Sequence, residues 1–418
     1  MPLILSNAAL DWSLAHALNQ GDTDIFPAAF EFEAIADGWQ EIKAYIQAID
    51  IVDWTVRPYR RCLVPKHRFG FRVSTQLDPL DFIVFTALIR EIGQIIEGQR
   101  IPATDNIVHA YRFGPDNDGR MYSIEYSYRS FQESSRKICD QINPSYVVVA
   151  DVADFFPRIY SHRIDNALDS ALGVGHLHSQ ALKKLISHWA GTYSYGIPVG
   201  SAASRLIAEL TIGDIDQLLL SEGANYVRYS DDFRFFCATQ GESYQRLALL
   251  ARALFENHGL TLQQNKTKII SIDEFRKKYL RENEKREVET LSDRFYELLD
   301  EIGIEDMYGD IDFDSLDDAH KAKITNLNLS GILQEQIEEE EPDLSLLKFL
   351  LRRMGQIGAT DSIGLIFDNF DEFVPVIRET IEYLLRIPNL DARSKASLGE
   401  KLLNIYQDDT SSASSLDY

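Results

Sequence analysis

Cysteine is nearly absent from this chain. Cys62, Cys139 and Cys237 are the only three in 418 residues, and no two of them form a C-x-x-C pair. This excludes a disulfide framework and a cysteine zinc site, and it suits a reducing compartment. No apolar run reaches the roughly 20 residues that cross a bilayer. The opening "MPLILSNAALDWSLAHALNQGD" has no basic start and meets acids early, unlike a secretion signal. The cytoplasm is the expected location, with no membrane partner. The common nucleotide loops are also missing, both G-x-x-x-x-G-K-[ST] and a strand-linked G-x-G-x-x-G. The nine histidines include no H-E-x-x-H.

Positive charge is scarce too, but unevenly so. The formal net charge is −23. Residues 287–418 hold 30 Asp and Glu against 11 Lys and Arg, a balance of −19. Residues 1–286 hold the other 35 against 31, a balance of −4. The first two-thirds can therefore carry a basic cleft, whereas the last third would repel a nucleic-acid backbone. A hydrophobic fraction of 45% with 26% charged residues describes a folded chain, long enough for two or three cores.

Residues 1–55 read as helices, followed by a basic stretch "RPYRRCLVPKHRFGFRVST" and an apolar helix "PLDFIVFTALIREIGQIIEG". From 145 to 272 the order is strand, helices, two strands, helix, strand. "SYVVVADVADFFPRIY" opens with strand formers, and "YGIPVGSAAS" is a Gly-rich turn before an apolar helix. "SYQRLALLARALFENHG" is an amphipathic helix closed by Gly259, and "LTLQQNKTKIISI" reads as a strand. This order is a split βαβ arrangement. Beyond about 285 the chain turns acidic and then alternates short helices with Gly or Pro breaks, without a strict repeat period. "DIDFDSLDD" (310–318) imitates a calcium loop, but Ser315 and Lys321 stand where an EF-hand requires Gly and Glu. A solvated acidic loop is the better account, and "DDTSSASSLDY" reads as a frayed tail.

"RYSDDFRFF" (228–236) places Asp231 and Asp232 inside an aromatic run. Two strands joined at Ser230–Asp231 form a tight hairpin tipped by acids. An ordinary turn explains those acids equally well, because Asp and Ser favour turns. A second acidic strand end decides between the two. "VVVADVADFF" carries Asp151, with Asp154 one turn later, and this strand can lie beside the hairpin in one sheet. Three converging carboxylates cost several kcal/mol unless cations neutralise them, which calls for Mg²⁺ or Mn²⁺. Two such ions about 3.5–4 Å apart serve phosphoryl transfer.

These residues resemble the reverse transcriptases. "ADVADFFPRIY" is similar to their first palm motif and "YSDD" to Y-x-D-D. "GIPVGSAAS" resembles their Gly–Pro–Gly segment, and "GLTLQQNKTKI" the segment with a Lys–Thr pair. "VPKHRFGFRVSTQLDPLDFIVFTAL" resembles the fingers motif. The ordered set over roughly 60–275 carries the resemblance; Y-x-D-D alone would not.

The resemblance implies an α+β fold with right-hand polymerase fingers and palm, followed by an all-α C-terminal domain. Its expected divisions are N-terminal helices and fingers over 1–140, palm over 141–285 and acidic helices over 286–418. It implies that Asp151 and Asp231 hold the metals, with Asp232 completing the cluster and the Val152 carbonyl a further ligand. Lys66 and Arg72 would grip the incoming triphosphate, in keeping with their point charge and bidentate fork. Lys266 would assist the pyrophosphate, its alternative being a solvated strand-end lysine. Phe156 would lie under the sugar 2′ position, its alternative being a core aromatic beside Phe155. Gly196, Pro198 and Gly200 would let the backbone approach the nascent base pair. Asp154 is assigned to capping the next turn as readily as to a direct role.

Val199 stands where most mobile-element members have Gln, and the Val-Thr-Gly segment of retron enzymes, a maturase domain and an endonuclease are not seen. The wording of "GIPVGSAASRLIAEL" and the acidic helical C-terminus look like the bacterial abortive-infection and unknown-group defence-associated reverse transcriptases. That implies RNA and DNA partners, dNTP substrates, templated or untemplated synthesis, in some members a companion non-coding RNA, and self-assembly through the helices. Two other readings compete with this one. One is a catalytically silent binding or assembly protein on the same scaffold. The other is a nucleotidyl cyclase, whose G-G-[DE]-E-F signature is missing from "RYSDDF".

Overall fold

The computed structural model describes residues 2–23, 25, 29–67, 70–280, 328–339, 342–387 and 392–407. The acidic loop at 310–318 and the tail from 408 lie outside the described residues. The chain falls into two compact units. The first comprises 1–24, 28–60 and 75–284, and the second 25–27, 61–74 and 285–418.

The first unit is built on a four-stranded sheet. Its strands are β3 (Tyr146–Asp151), β4 (Tyr226–Tyr229), β5 (Asp232–Cys237) and β6 (Lys268–Ser271). The spatial order is β4-β5-β3-β6, and every pairing is antiparallel. Strand β3 is central, and helices connect it to the hairpin β4–β5 and the hairpin to β6. This is the split βαβ arrangement. Helix-forming sequence between β3 and β4 gives Ser161–Leu172, Leu177–Ala190, Ala202–Thr211 and Gly213–Ser221.

Side-chain alternation shows why both faces of the sheet are covered. Val148 and Ala150 of β3, with Phe233 and Phe235 of β5, join the large core beneath. Val147 and Val149, with Phe236, join a second core closed by Phe131 and Phe275. Successive strand residues point to opposite faces, so a near-continuous apolar run is what a sheet buried on both sides requires. Phe131 and Phe275 come from helices Tyr128–Ile142 and Ile272–Lys278. Exposed pairing groups of β4 are met by residues 107–109: the Arg228 N–H donates to the Ile107 carbonyl at 2.8 Å, and the His109 N–H donates to the Arg228 carbonyl at 3.0 Å.

The second unit takes in residues 61–74 of the basic stretch, to which the sequence pattern assigns no element. The stretch forms β1 (Arg60–His67) and β2 (Gly70–Gln76), paired as a two-stranded sheet. Its alternation is visible in retrospect: Cys62 and Val64 are buried while Leu63 is exposed. The unbroken apolar run Cys62-Leu63-Val64 hides that period. All regular structure described between 328 and 407 is helical, with a separate core that includes Leu350, Met354, Phe373 and Tyr383. The fold is thus α+β with a helical C-terminal region. Among the described residues, no helix is long and apolar enough to cross a membrane.

Candidate active site

The sheet register brings the acids together. Asp151, the last residue of β3, lies directly opposite Asp232, the first of β5. Like charges facing each other across an antiparallel pair are destabilising. The Val152 N–H donates to the Asp231 carbonyl at 3.1 Å, so the hairpin tip is tied to the end of β3 by its backbone. Gln263 fixes the other side, its N–H donating to the Asp151 carbonyl at 2.7 Å.

These groups carry the electrostatics of a crowded anionic cluster. Asp231 is pushed up to about 6, first by desolvation and then by the nearby Asp151 charge. Asp232 is pushed up to about 7 by desolvation, then by Asp231 and Asp151. Lys266 answers part of the charge: its Nζ donates to Asp151 Oδ2 at 2.9 Å. Burial pulls the lysine downward, but the bond to Asp151 and the three carboxylate charges win and raise its pKa. The Lys266 side chain is about half exposed and lies outside the paired strand. It sits in the turn between Leu262, which bridges Val152, and β6, because the expected long strand is interrupted there. Among the described residues, no three acids, histidines or cysteines are placed so as to hold a metal ion between them.

The tip is strained and supported from behind. Ser230 is buried in the left-handed region at φ 56°, which costs a non-glycine residue of order 1 kcal/mol or more. Its carbonyl accepts from Arg228 Nη1 at 2.8 Å. Arg228 is fully buried and also donates to Asp216 and Glu209. Glu209 in turn accepts from Arg100 Nη2 at 2.7 Å, and Arg100 pairs with Glu97 at 3.0 Å. Sequence reasoning missed this ionic network. Its signal was an arginine inside an apolar strand, "YVRY", with Glu209 and Asp216 among the apolar residues of the two preceding helices. Tyr229 anchors the same hairpin, with its ring 5.5 Å from Tyr128 and 5.9 Å from Phe131.

The segment after Asp151 meets the Gly-rich turn. Phe155 is buried, whereas Phe156 is half-buried, with ring centroids 5.2 Å apart. The Phe156 carbonyl accepts from the Ile197 N–H at 3.2 Å, and the Gly196 N–H donates to the Ile159 carbonyl at 2.8 Å. Gly196 has φ 97°, and a Cβ there would lie 3.1 Å from the Pro157 carbonyl oxygen, so glycine is required for this approach. Gly200 is also left-handed, at φ 112°, and Pro198 is buried. Asp154 adopts φ 47° and makes no side-chain cap bond; its exposed carboxylate lies 3.8 Å from Arg158. Lys66 on β1 and the exposed Arg72 on β2 belong to the second compact unit.

The sheet thus carries acids at the ends of its two middle strands, β3 and β5. The family model for reverse transcriptase (RNA-dependent DNA polymerase) matches residues 87–295, half of the chain. The chain belongs to the reverse transcriptase family, with the fingers and palm of a right-hand polymerase.

Among solved structures it is similar to apo telomerase from Candida Tropicalis truncated from its C-terminal domain. That match has 13% identity and a TM-score of 0.37, covering 51% of this chain and 49% of that one. It is also similar to a chain of a partial Cas6-RT-Cas1–Cas2 complex, at 17% identity and a TM-score of 0.30, covering 60% and 41%. A chain of the Cas6-RT-Cas1–Cas2 complex gives 17% and 0.30, covering 60% and 26%. This chain spans about half the length of the telomerase chain it matches. No curated protein matches it.

Proposed function

We propose that the chain is an RNA-directed or template-flexible DNA polymerase that adds deoxynucleotides by two-metal nucleotidyl transfer in bacterial antiviral defence. The observation that carries the chemistry is the direct opposition of Asp151 and Asp232, with Asp231 beside them and Lys266 on Asp151. Carboxylates held protonated until near neutrality are under-compensated, and hard oxygen donors of this kind fit Mg²⁺ or Mn²⁺. Asp151, Asp231, Asp232 and the Val152 carbonyl would hold the ions. Bound there, such ions would activate an attacking 3′-hydroxyl and neutralise the leaving pyrophosphate.

The remaining work falls to the protein. Lys266 offers a proton donor beside Asp151 for the departing pyrophosphate. Lys66 and Arg72 of the β1–β2 sheet grip the triphosphate. Phe156 limits the sugar, and Gly196, Pro198 and Gly200 keep backbone beside the new base pair. We assign fingers with the N-terminal helices to 1–140, palm to 141–285 and a C-terminal domain to 286–418. The defence role rests on the "GIPVGSAASRLIAEL" wording and the acidic helical C-terminus, which also favour self-assembly and a companion non-coding RNA.

The test is incubation of the purified protein with Mg²⁺ or Mn²⁺, dNTPs and a primed RNA template. DNA product supports the reading. A cyclic dinucleotide product, or no product, overturns it in favour of a cyclase or a silent scaffold.

A further inference from the structure

Beside the candidate site lies a row of exposed aromatic rings that the chemistry above does not use. Tyr160, Tyr193 and Tyr195 are 37%, 55% and 39% exposed. Their rings nonetheless stand in order: Tyr193 to Tyr195 at 5.5 Å, Tyr195 to Tyr160 at 6.2 Å, and Tyr160 to the exposed His162 at 5.4 Å. The backbone fixes the row, since Tyr160 and Tyr195 form an antiparallel bridge and the Ser161 N–H donates to the Ser194 carbonyl at 2.9 Å. Room for the Tyr160 ring is left by Gly259, where a Cβ would come within 2.4 Å of it.

Water-facing rings in contact are unusual for a surface that serves packing alone, and large exposed apolar clusters mark binding sites. Tyrosine offers a flat face at little entropic cost. The two segments that carry the row also carry the site: Phe156 precedes Tyr160, and Tyr195 precedes Gly196. Arg158, 60% exposed at the side chain and 3.8 Å from the Asp154 carboxylate, lies two positions before Tyr160.

We infer that Tyr193, Tyr195, Tyr160 and His162 form a stacking platform for the bases of an unpaired nucleic-acid strand leading to the polymerase site. Aromatic stacking is sequence-tolerant because every base has a π-face, which suits a strand that must slide. A duplex hides those faces, so the platform discriminates single from double strands. The inference rests on the polymerase reading for its direction.

The experiment uses the full chain without divalent ions and measures fluorescence anisotropy with a labelled single-stranded oligonucleotide and with a blunt duplex. Tyr193→Ala/Tyr195→Ala should weaken single-strand binding about tenfold or more. Blunt-duplex affinity and the thermal midpoint should stay near wild type, and Tyr193→Phe/Tyr195→Phe should bind like wild type. Unchanged single-strand affinity, an equal loss for duplex, or a change confined to particle mass (rings covered by a second copy) would overturn it. Primer extension by the same wild-type preparation separates the two ideas. Extension by wild type with unaltered strand binding by the Ala variant removes the platform alone. Wild type that neither binds nor extends removes both.

Discussion

Asp231 and Asp232 keep their protons to about 6 and about 7, well above an ordinary carboxylate. Between about pH 4 and 7 the folded chain therefore binds more protons than the unfolded one, so stability contributed by these groups is present at low pH and lost as pH rises through the folded values. Asp231→Asn should raise the thermal midpoint at pH 8 and leave it nearly unchanged at pH 4, measured without divalent ions. Added Mg²⁺ should stabilise wild type more at pH 8 than at pH 5, where protons compete for the same oxygens. A larger Mg²⁺ effect at pH 5 would contradict this.

Phe156 makes a second residue-scale case. It is half-buried while Phe155 fills the core. A ring beneath the sugar rejects a 2′-hydroxyl by overlap, because polarity alone discriminates weakly. Phe156→Ala should raise ribonucleotide incorporation strongly while deoxynucleotide use persists, read as single-nucleotide addition with each. A loss of about 3–5 kcal/mol of stability with both sugars affected alike would instead mark a core aromatic. The acids themselves were legible in the sequence, because two carboxylates in an aromatic run break a strand pattern. The pairing of Lys266 with Asp151 was not, because the two are 115 residues apart.

At the scale of elements, the hairpin β4–β5 depends on what lies behind it. Arg228 bridges the strained Ser230 carbonyl to Glu209 and Asp216. Removing one partner of a buried ionic network leaves uncompensated charge. Glu209→Ala should therefore cost about 3–5 kcal/mol, seen as a lowered denaturation midpoint. A loss below about 1 kcal/mol would show that the network does not support the hairpin. The hairpin and the helices around it were readable from apolar periodicity and from the turn at Ser230–Asp231. The β1–β2 sheet was not, because the unbroken apolar run Cys62-Leu63-Val64 hid an alternation of period two. The apolar helix expected after the Gly-rich turn also divides, into Ala202–Thr211 and Gly213–Ser221.

For the whole molecule, charge separates what composition alone blurs. The last 132 residues hold −19 of the total −23, and their described helices have a separate core. Such a surface repels a phosphate backbone and suits contacts with protein. Truncation after about residue 285 should change particle mass or protection against phage more than affinity for a template strand. Light scattering and a plaque assay check this, and unchanged mass with full protection would contradict it.

The central claim is that Asp151, Asp231 and Asp232 form the nucleotidyl-transfer centre, and single-nucleotide addition by wild type and Asp231→Ala tests it most directly. The variant relieves charge crowding, so it should fold with an unchanged or higher thermal midpoint at pH 8. It should extend a primed template more than about 10²-fold more slowly, the loss of several kcal/mol of transition-state stabilisation. A folded Asp231→Ala protein that adds nucleotides within about tenfold of the wild-type rate would contradict the claim.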